Sequence, residues 1–270
     1  MSNYSYKYPK LNDKNWLYQK YVIEKCSTIK IANLAGAKTA NSAKQALVRA
    51  SIPVRTISDG LTCNRENDGF MVDNSVIIGC LLGDAGLRSH NPKSDNSYPY
   101  FYKRNKFFDH VCFVAKLLFE KDGEQKVKES QEYSTGKYHT IFSVRSLSYK
   151  SLMPLFREWY PVLNNYKKVI PDNIELDATM LLHWFLDDGN SYVRKRKTKQ
   201  VCIVLCSESF SRIDQELMSE KIWDKFGIKC SVRKCQSGTG YRIFVRQKYA
   251  GLFYDIIGPP VVSSLAYKWK

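Results

Sequence analysis

Two aspartates, Asp84 and Asp188, each close a short apolar run and are each followed at once by small residues. The runs are residues 75–87 (SVIIGCLLGDAGL) and residues 180–190 (MLLHWFLDDGN). Both are too short to cross a membrane and long enough for about three helical turns. If the two helices pack together, both carboxylates lie at the mouth of the interface. Converging carboxylates repel each other unless cations lie between them, and hard cations such as Mg²⁺ take oxygen ligands.

Small residues in the first run predict a close contact between the two helices. Gly79 and Gly83 lie four positions apart, which places them on one face of a helix. An alternative, purely structural interpretation makes Asp84 a C-terminal helix residue and Gly86 its capping glycine. The occurrence of two such runs in one chain favours the paired site and suggests a duplicated unit.

The two runs resemble the signature helices of a known family. GCLLGDAG (residues 79–86) and HWFLDDGN (residues 183–190) are similar to the paired motifs of the LAGLIDADG homing endonucleases in their single-chain, pseudo-symmetric form. The stretch WFLDDG is close to the intron-encoded monomeric members. The resemblance covers approximately residues 73–270. It implies a DNA-hydrolysing enzyme that uses Mg²⁺ or another divalent cation such as Mn²⁺.

The resemblance also implies roles for individual residues. The last acidic residue of each motif binds the catalytic metals in the family, which implies this role for Asp84 and Asp188, whereas Asp187 would be a neighbour and not a ligand. His183 stands where the family commonly has a small residue, and this departure bears on how tightly the helices can cross. The implied metal site comprises the two aspartates and the residues that follow them, Asp84, Ala85, Asp188 and Gly189.

Single-chain members of the family carry a lysine near the scissile phosphates in each half. Lys168 follows Asp84 by 84 residues and Lys268 follows Asp188 by 80, each after the last predicted helix of its half and next to a tyrosine. The resemblance therefore implies a catalytic role for Lys168 and Lys268. Lys167 is the alternative to Lys168, because it directly follows its tyrosine, and the structural alternative for each is an ordinary surface lysine.

The charge of the chain indicates its partner. Among 270 residues, 42 Lys and Arg oppose 26 Asp and Glu, a net charge of +16, which favours a polyanion. A membrane partner is disfavoured, because no apolar run reaches the roughly 18 residues of a spanning helix and the polar N-terminus carries no signal peptide. The eight cysteines lack the spacing of a disulfide scaffold, which predicts reduced thiols and an intracellular location in a compartment that the sequence leaves open.

The N-terminal part, residues 1–65, is predicted to be a small all-α domain with a linker. Three short helices at residues 16–26, 27–36 and 41–52 are similar to the helix-turn-helix families, whose third helix enters the major groove. A helical cap without a DNA role is the alternative. The predicted core consists of Ile29, Ala32, Leu34, Ala43, Leu47 and Val48, and the predicted DNA contacts are Lys38, Lys44, Gln45 and Arg49.

The rest of the chain is predicted to be two pseudo-symmetric halves, residues 66–165 and 166–270. Beginning with each motif helix, the hydrophobic pattern predicts the order αββαββα. The two motif aspartates are 188 − 84 = 104 residues apart. The expected fold is α+β, with a four-stranded antiparallel sheet in each half and helices on one face.

Basic residues follow the predicted strands and are expected on the open faces of the sheets, where they can contact phosphates and base edges. A solvated sheet face is the alternative for any single strand, but the pattern recurs in both halves of a basic chain. The predicted contacts are Arg88, Lys103, Arg104, Lys137 and Arg145 in the first half and Arg194, Arg196, Lys199, Arg233, Arg242, Arg246 and Lys248 in the second.

The resemblance thus predicts a homing endonuclease that cuts one phosphodiester per strand of a long, asymmetric double-stranded target. The family resemblance implies 3′ overhangs and action as a monomer. An intron RNA maturase on the same fold is the first alternative. A helix-turn-helix transcription regulator with an inactive nuclease domain is the second, and it predicts DNA binding through the N-terminal helices alone.

Overall fold

A computed structural model describes the chain at residues 8–55, 70–95, 97–119, 123–195, 199–235 and 240–270. The chain divides into two compact units, one of Met1–Asp68 with Ser94–Ser97 and one of Gly69–Lys93 with Tyr98–Lys270. No helix within the described ranges combines the length and the apolar composition that crossing a membrane requires.

The named elements of the first unit are all helical. A 3₁₀ turn, Pro9–Asn12, precedes α1 (Lys14–Tyr18), which continues as a π-helical turn, Gln19–Ile23. The helices α2 (Thr28–Leu34) and α3 (Ala40–Arg49) follow. Side chains of the preceding residues accept backbone N–H groups of the first turns, and these caps are Asp13, Ser27 and Thr39.

The predicted core of this unit is partly wrong. Ile29, Leu34 and Val48 are exposed by 62%, 43% and 57%, respectively. The inward face of α2 is instead formed by Ile31 and Ala32, and Ile29 lies about 200° around the helix from Ile31, so it points away. The helices pack through small residues, which leaves space for few large side chains. The buried cluster is Leu11, Leu17, Tyr21, Cys26, Ile31, Ala32, Ala37, Ala43, Ala46, Leu47 and Ile52.

The second unit contains the same order of elements twice, as predicted, and its α+β fold is confirmed. The first repeat comprises α4 (Asn74–Leu82), β1 (Gly86–Arg88), β2 (Tyr100–Asn105), α5 (Phe108–Leu118), β3 (Lys128–Ser134), β4 (Lys137–Arg145) and α6 (Met153–Trp159). The second comprises α7 (Ala178–Asp188), β5 (Gly189–Lys195), β6 (Lys199–Leu205), α8 (Arg212–Phe226), β7 (Cys230–Lys234), β8 (Tyr241–Val245) and α9 (Ala250–Ile257).

Each repeat forms an antiparallel sheet whose strand orders correspond, β1-β2-β4-β3 and β5-β6-β8-β7. Lys103 pairs with Val144 in the first sheet, and Leu205 pairs with Ile243 in the second. Counted from the motif aspartates, these pairs occupy matching places, because Gly86 pairs with Tyr102 and Asn190 pairs with Val204. Residues of both sheets and of α4 and α7 belong to one buried cluster, so the two repeats share a core.

The motif helices α4 and α7 begin with equivalent caps. Asp73 accepts the Val76 N–H at 3.2 Å, and Asp177, 104 residues later, accepts the Met180 N–H at 2.8 Å. Asp177 also accepts the Ser75 hydroxyl at 2.5 Å, which connects the N-terminal ends of the two helices. The paired helices therefore run side by side from their first turns.

Two glycines set the spacing between α4 and α7. A Cβ atom at Gly79 would lie 2.7 Å from both the Cβ of His183 and the Met180 carbonyl oxygen, and one at Gly83 would overlap the Asp187 side chain. His183 thus occupies the space that Gly79 leaves, and the crossing is tight despite the bulky residue. This contact brings the C-terminal ends of both helices together.

We expect Gly79→Ala to lower the free energy of unfolding by about 1–3 kcal/mol, since the added methyl group would force the helices apart. Gly251→Ala is the matched control, because nothing lies within 4 Å of a Cβ at this position of α9. The control should change stability by less than about 1 kcal/mol. Urea unfolding midpoints of the two variants measure the difference. Equal midpoints would contradict the close-crossing account.

Candidate active site

The two motif aspartates lie at neighbouring helix ends. Asp188 is the last residue of α7, and Asp84 follows the end of α4. Burial raises the pKa of Asp188 to about 8, with the charges of Asp84 and Asp187 acting in the same direction. Burial also raises the pKa of Asp84, again with a contribution from the Asp187 charge. The site therefore concentrates like charge, which a divalent cation would offset.

A lysine caps each motif helix, half-buried Lys168 in the first repeat and buried Lys268 in the second. Burial lowers the pKa of both Lys168 and Lys268, and the neighbouring carboxylates oppose this shift. Each ammonium donates to three backbone carbonyls, those of Leu81, Gly83 and Ala85 for Lys168 (2.8–3.0 Å) and those of Phe185, Leu186 and Asp187 for Lys268 (2.7–3.2 Å). Lys167, the alternative to Lys168, is exposed. The sequence indicated both lysines but not their function as caps.

Contacts from other elements fix Lys268. It ends the 3₁₀ segment Ser263–Lys268, whose Ser264 donates its N–H and its hydroxyl to Asp109 of α5 at 2.9 and 2.5 Å. The Lys268 carbonyl accepts hydrogen bonds from Ser191 and Tyr254. The first repeat thus holds the segment that carries the lysine of the second repeat, a link that sequence reasoning missed.

The second motif carries a further carboxylate, Asp187, at the position where the first has Gly83. Its side chain is fully buried, its Oδ2 accepts the Asp84 N–H at 3.3 Å, and its Oδ1 forms an ion pair with Lys103. The prediction that Lys103 contacts DNA is therefore wrong, because its side chain is 0% exposed and paired with Asp187. The alternation of side chains along the strand could have indicated this burial, because Lys103 lies two residues after the buried Phe101 and therefore points to the same side of the sheet.

Two neutral histidines, His110 and His183, lie near the Lys103–Asp187 ion pair. Burial and the Lys103 charge lower the pKa of His183 to about 4 and that of His110 to about 2. His183 stacks on Phe113, and its Nδ1 lies 3.7 Å from the Cys80 sulfur. His110 Nε2 lies 3.5 Å from Asp187 Oδ1. Both rings therefore act as uncharged packing groups beside the carboxylates.

Asp84 and Asp187 border an open polar cleft. It has a volume of about 610 Å³, and its lining includes Asp84, Asp187, Lys268, Arg88 and Arg104. Hard oxygen ligands beside open, polar space suit a divalent cation. Of the two other residues predicted for the metal site, Ala85 has its carbonyl engaged by Lys168, and Gly189 is buried at the start of β5.

The open face of the first sheet carries arginines stacked on tyrosines. The Arg88 guanidinium lies 4.4 Å from the Tyr102 ring centroid, and that of Arg145 lies 3.7 Å from the Tyr100 ring centroid. Stacking holds these guanidinium groups in place while both side chains stay exposed. Arg104, at the same face, pairs with Glu132 at 2.7 Å. Lys137 is exposed at the start of β4.

The second sheet presents a similar face. Arg194, Arg233, Arg246 and Lys248 are exposed, and Arg233 lies over the Phe244 ring at 4.8 Å. Arg242 is half-buried in an ion pair with Glu208. The ladder pairs Lys199 with Lys195, and Arg194 with Gln200. The Lys199 side chain and all of Arg196 lie outside the described residues, so these two predicted contacts have no structural description.

In the N-terminal unit, the predicted DNA contacts are all exposed. Lys38 precedes α3, while Lys44, Gln45 and Arg49 lie on it. Gln45 and Arg49 also line a small cleft of about 190 Å³ beside α3, together with Thr39 and Asn41. The unit therefore presents a polar helix face that an elongated polyanion could contact.

Comparisons with known proteins identify relatives and a solved structure of the same fold. A probable intron-encoded endonuclease 1 of Wickerhamomyces canadensis is 21% identical over 200 residues, which cover 73% of this chain and 83% of that protein. An uncharacterized protein of Methanocaldococcus jannaschii is 24% identical over 261 residues, 93% of this chain and 94% of that protein. The solved structure of the homing endonuclease I-WcaI bound to its DNA recognition sequence shares the fold, with a TM-score of 0.61 and 19% identity over 73% of this chain and 84% of that chain.

The family comparison covers both motif helices and both sheets, and it ends before the segment that carries Lys268. The LAGLIDADG DNA endonuclease family matches residues 74–253. That range contains both motif helices, all eight named strands and both motif aspartates. This chain belongs to the LAGLIDADG DNA endonuclease family.

Proposed function

We propose that this chain is a site-specific endonuclease that hydrolyses one phosphodiester in each strand of a long, asymmetric double-stranded DNA target and leaves 3′ overhangs. The observation that carries this proposal is the convergence of Asp84 and Asp188 at the ends of the paired motif helices, where Asp84 borders the polar cleft and a carbonyl-bound lysine lies at each helix end. Each aspartate is also followed by the first strand of a sheet with a basic open face. Each proposed metal ligand thus lies next in the chain to a strand of a proposed DNA-contacting sheet.

Asp84 and Asp188 are the proposed ligands for Mg²⁺ or another divalent cation such as Mn²⁺. Their raised pKa values reflect burial and uncompensated like charge, which makes cation binding favourable. The bound ion supplies Lewis-acid stabilisation of the phosphate and activation of water. The two carboxylates are better candidates than the Ala85 carbonyl, which Lys168 already engages.

Lys168 and Lys268 act as fixed positive charges at the cleavage site. Each ammonium donates hydrogen bonds to carbonyls at the end of a motif helix. Its positive charge therefore offsets the negative end of that helix and the charge of a neighbouring carboxylate. A DNA phosphate then enters a site whose negative charge is already reduced. This electrostatic role requires no proton transfer from either lysine.

The two halves differ in sequence, which favours an asymmetric target. The first motif ends in Gly83–Asp84 and the second in Asp187–Asp188, and the two sheets carry different basic and aromatic residues. Both halves are present in one chain, so a monomer contains both aspartates. The proposed partner is therefore an unsymmetrical DNA duplex bound by one copy.

Replacement of either aspartate tests the function. We expect Asp84→Asn and Asp188→Asn each to reduce double-strand cleavage at least roughly 100-fold, because each removes a proposed metal ligand. Affinity for DNA should stay within about threefold, since removal of a negative charge does not weaken phosphate contacts. The target is first obtained by incubating the wild-type protein and Mg²⁺ with a randomised duplex library and sequencing the cut ends. Unchanged cleavage by either variant would remove that aspartate from the mechanism.

The lysine assignment can be tested with a neighbouring control. We expect Lys168→Met to reduce the cleavage rate roughly 10- to 100-fold, because a half-buried positive charge is lost beside the carboxylates. Lys167→Met removes the same charge from an exposed position and should change the rate by less than about twofold. Single-turnover cleavage rates on the selected target compare the two variants. A larger loss with Lys167→Met would reverse the assignment.

The N-terminal unit is proposed to extend the contact with DNA through α3. We expect the double variant Lys44→Glu and Arg49→Glu to shorten the protected region at one end of the target, because reversed charges repel the phosphates. A double variant with the same charge change on α1 and α2, Lys14→Glu and Lys30→Glu, is the control. DNase footprints of the two variants measure the effect. An identical footprint for wild type and the α3 variant would assign the unit a structural role.

A further inference from the structure

The Lys103–Asp187 ion pair joins the two repeats beside the cleavage site. Lys103 comes from β2 of the first repeat, and Asp187 comes from the last turn of α7 in the second. Both side chains are 0% exposed. The second Asp187 oxygen accepts the backbone N–H of Asp84 at 3.3 Å. One buried carboxylate therefore contacts both a buried cation and the backbone of a proposed metal ligand.

The pseudo-symmetric position, where the first motif would support Asp188, contains no such pair. Gly83 corresponds to Asp187 in the motif alignment. Leu205 corresponds to Lys103, because the residue two positions after each motif aspartate pairs with Tyr102 in the first sheet and with Val204 in the second. Leu205 is fully buried, and Gly83 has no side chain to contact the Asp188 backbone. The pseudo-symmetry of the two repeats is thus broken by a charge pair that supports only Asp84.

Burying this pair needs a reason beyond stability. Two charges taken out of water lose hydration, and such a pair is often no more stabilising than apolar residues of similar size. The second repeat demonstrates the apolar solution at the same place with Leu205. A third carboxylate beside Asp84 and Asp188 also adds repulsion to a site that already concentrates like charge.

We propose that Asp187 is a positioning residue for Asp84, and that Lys103 is the counter-ion that keeps the Asp187 carboxylate out of the metal ligand set. The inference rests on the proposed function of Asp84 and Asp188 as metal ligands. With Lys103 present, one Asp187 oxygen is held by the ammonium and the other by the Asp84 N–H. Asp187 then orients the Asp84 backbone without contributing a ligand, and the two strands of DNA meet unequal sites.

A first experiment measures the pair in the metal-free protein. Four proteins are compared by thermal unfolding: wild type, Lys103→Leu, Asp187→Ala and the double variant. Lys103→Leu introduces the residue that the second repeat has at the matching place, and leaves Asp187 buried without its counter-ion. We expect this variant to unfold roughly 10 °C below wild type and the double variant to recover most of the loss. A double variant no more stable than Lys103→Leu would contradict the pairing.

A second experiment measures binding of Mn²⁺ alone by calorimetry. We expect Lys103→Leu to bind Mn²⁺ roughly tenfold more tightly than wild type, because the released carboxylate adds an oxygen ligand and a negative charge. The double variant should return to the wild-type affinity. A purely structural role for Lys103 predicts equal or weaker binding by Lys103→Leu, and that result would overturn the proposal.

The double variant provides a third readout that does not depend on the folding of Lys103→Leu. On the selected target, the double variant should cleave the strand that depends on Asp84 roughly tenfold more slowly. Cleavage of the other strand should change by less than about twofold, so that nicked DNA accumulates. Wild-type rates on both strands would show that Asp187 does not position Asp84. A wild-type protein that cuts no DNA would refute the proposed function, while the unfolding and Mn²⁺ measurements would still test the pair.

Discussion

The close crossing of α4 and α7 is the constraint on which the rest of the structure depends. Gly79 and Gly83 remove the side chains that would separate the helices, and His183 and Asp187 occupy the space they leave. Because the helices run side by side from their linked N-terminal caps, both C-terminal ends arrive at one place. Each end contributes the negative pole of a helix and a motif carboxylate. Packing alone thus creates a concentration of negative charge.

The chain balances this charge from within. Three aspartates, Asp84, Asp187 and Asp188, gather where the helices end, and each of three lysines contacts this region. Lys168 and Lys268 are bound to helix carbonyls, whereas Lys103 is bound to a side chain. Burial raises the pKa of Asp188, and the charges of Asp84 and Asp187 act in the same direction. Under the proposed function, cations and phosphates would enter this region together, each reducing the electrostatic cost of the other.

The sequence predicted the features that depend on local pattern. The order of elements in both repeats, the paired motif helices and the basic strands all follow from hydrophobic period and composition, and the fold agrees with them. The N-terminal core was less predictable, because Ile29 and Ile31 are both apolar and only the packing of three short helices decides which turns inward. In so small a core, the hydrophobic pattern contains too few residues to distinguish the inward-facing isoleucine from the outward-facing one.

Contacts between distant residues could not be predicted from the pattern. Lys103 was assigned to the DNA surface because lysines on strands are normally solvated, yet its partner Asp187 lies 84 residues away and in the other repeat. The three-carbonyl environment of Lys168 and Lys268 depends similarly on where the chain returns after each sheet. Charge and spacing identified these residues, but their function in the site required the tertiary structure.

The contact of Asp109 with Ser264 has a consequence for how such enzymes can be recombined. Helix α5 of the first repeat anchors the segment that delivers Lys268 to the second motif. A chimaera that joined this N-terminal repeat to a C-terminal repeat from a relative would inherit a lysine segment without its matching anchor. Exchange of specificity between relatives is therefore constrained at a point remote from the recognition surface, and transplanting only the strand faces leaves that anchor intact.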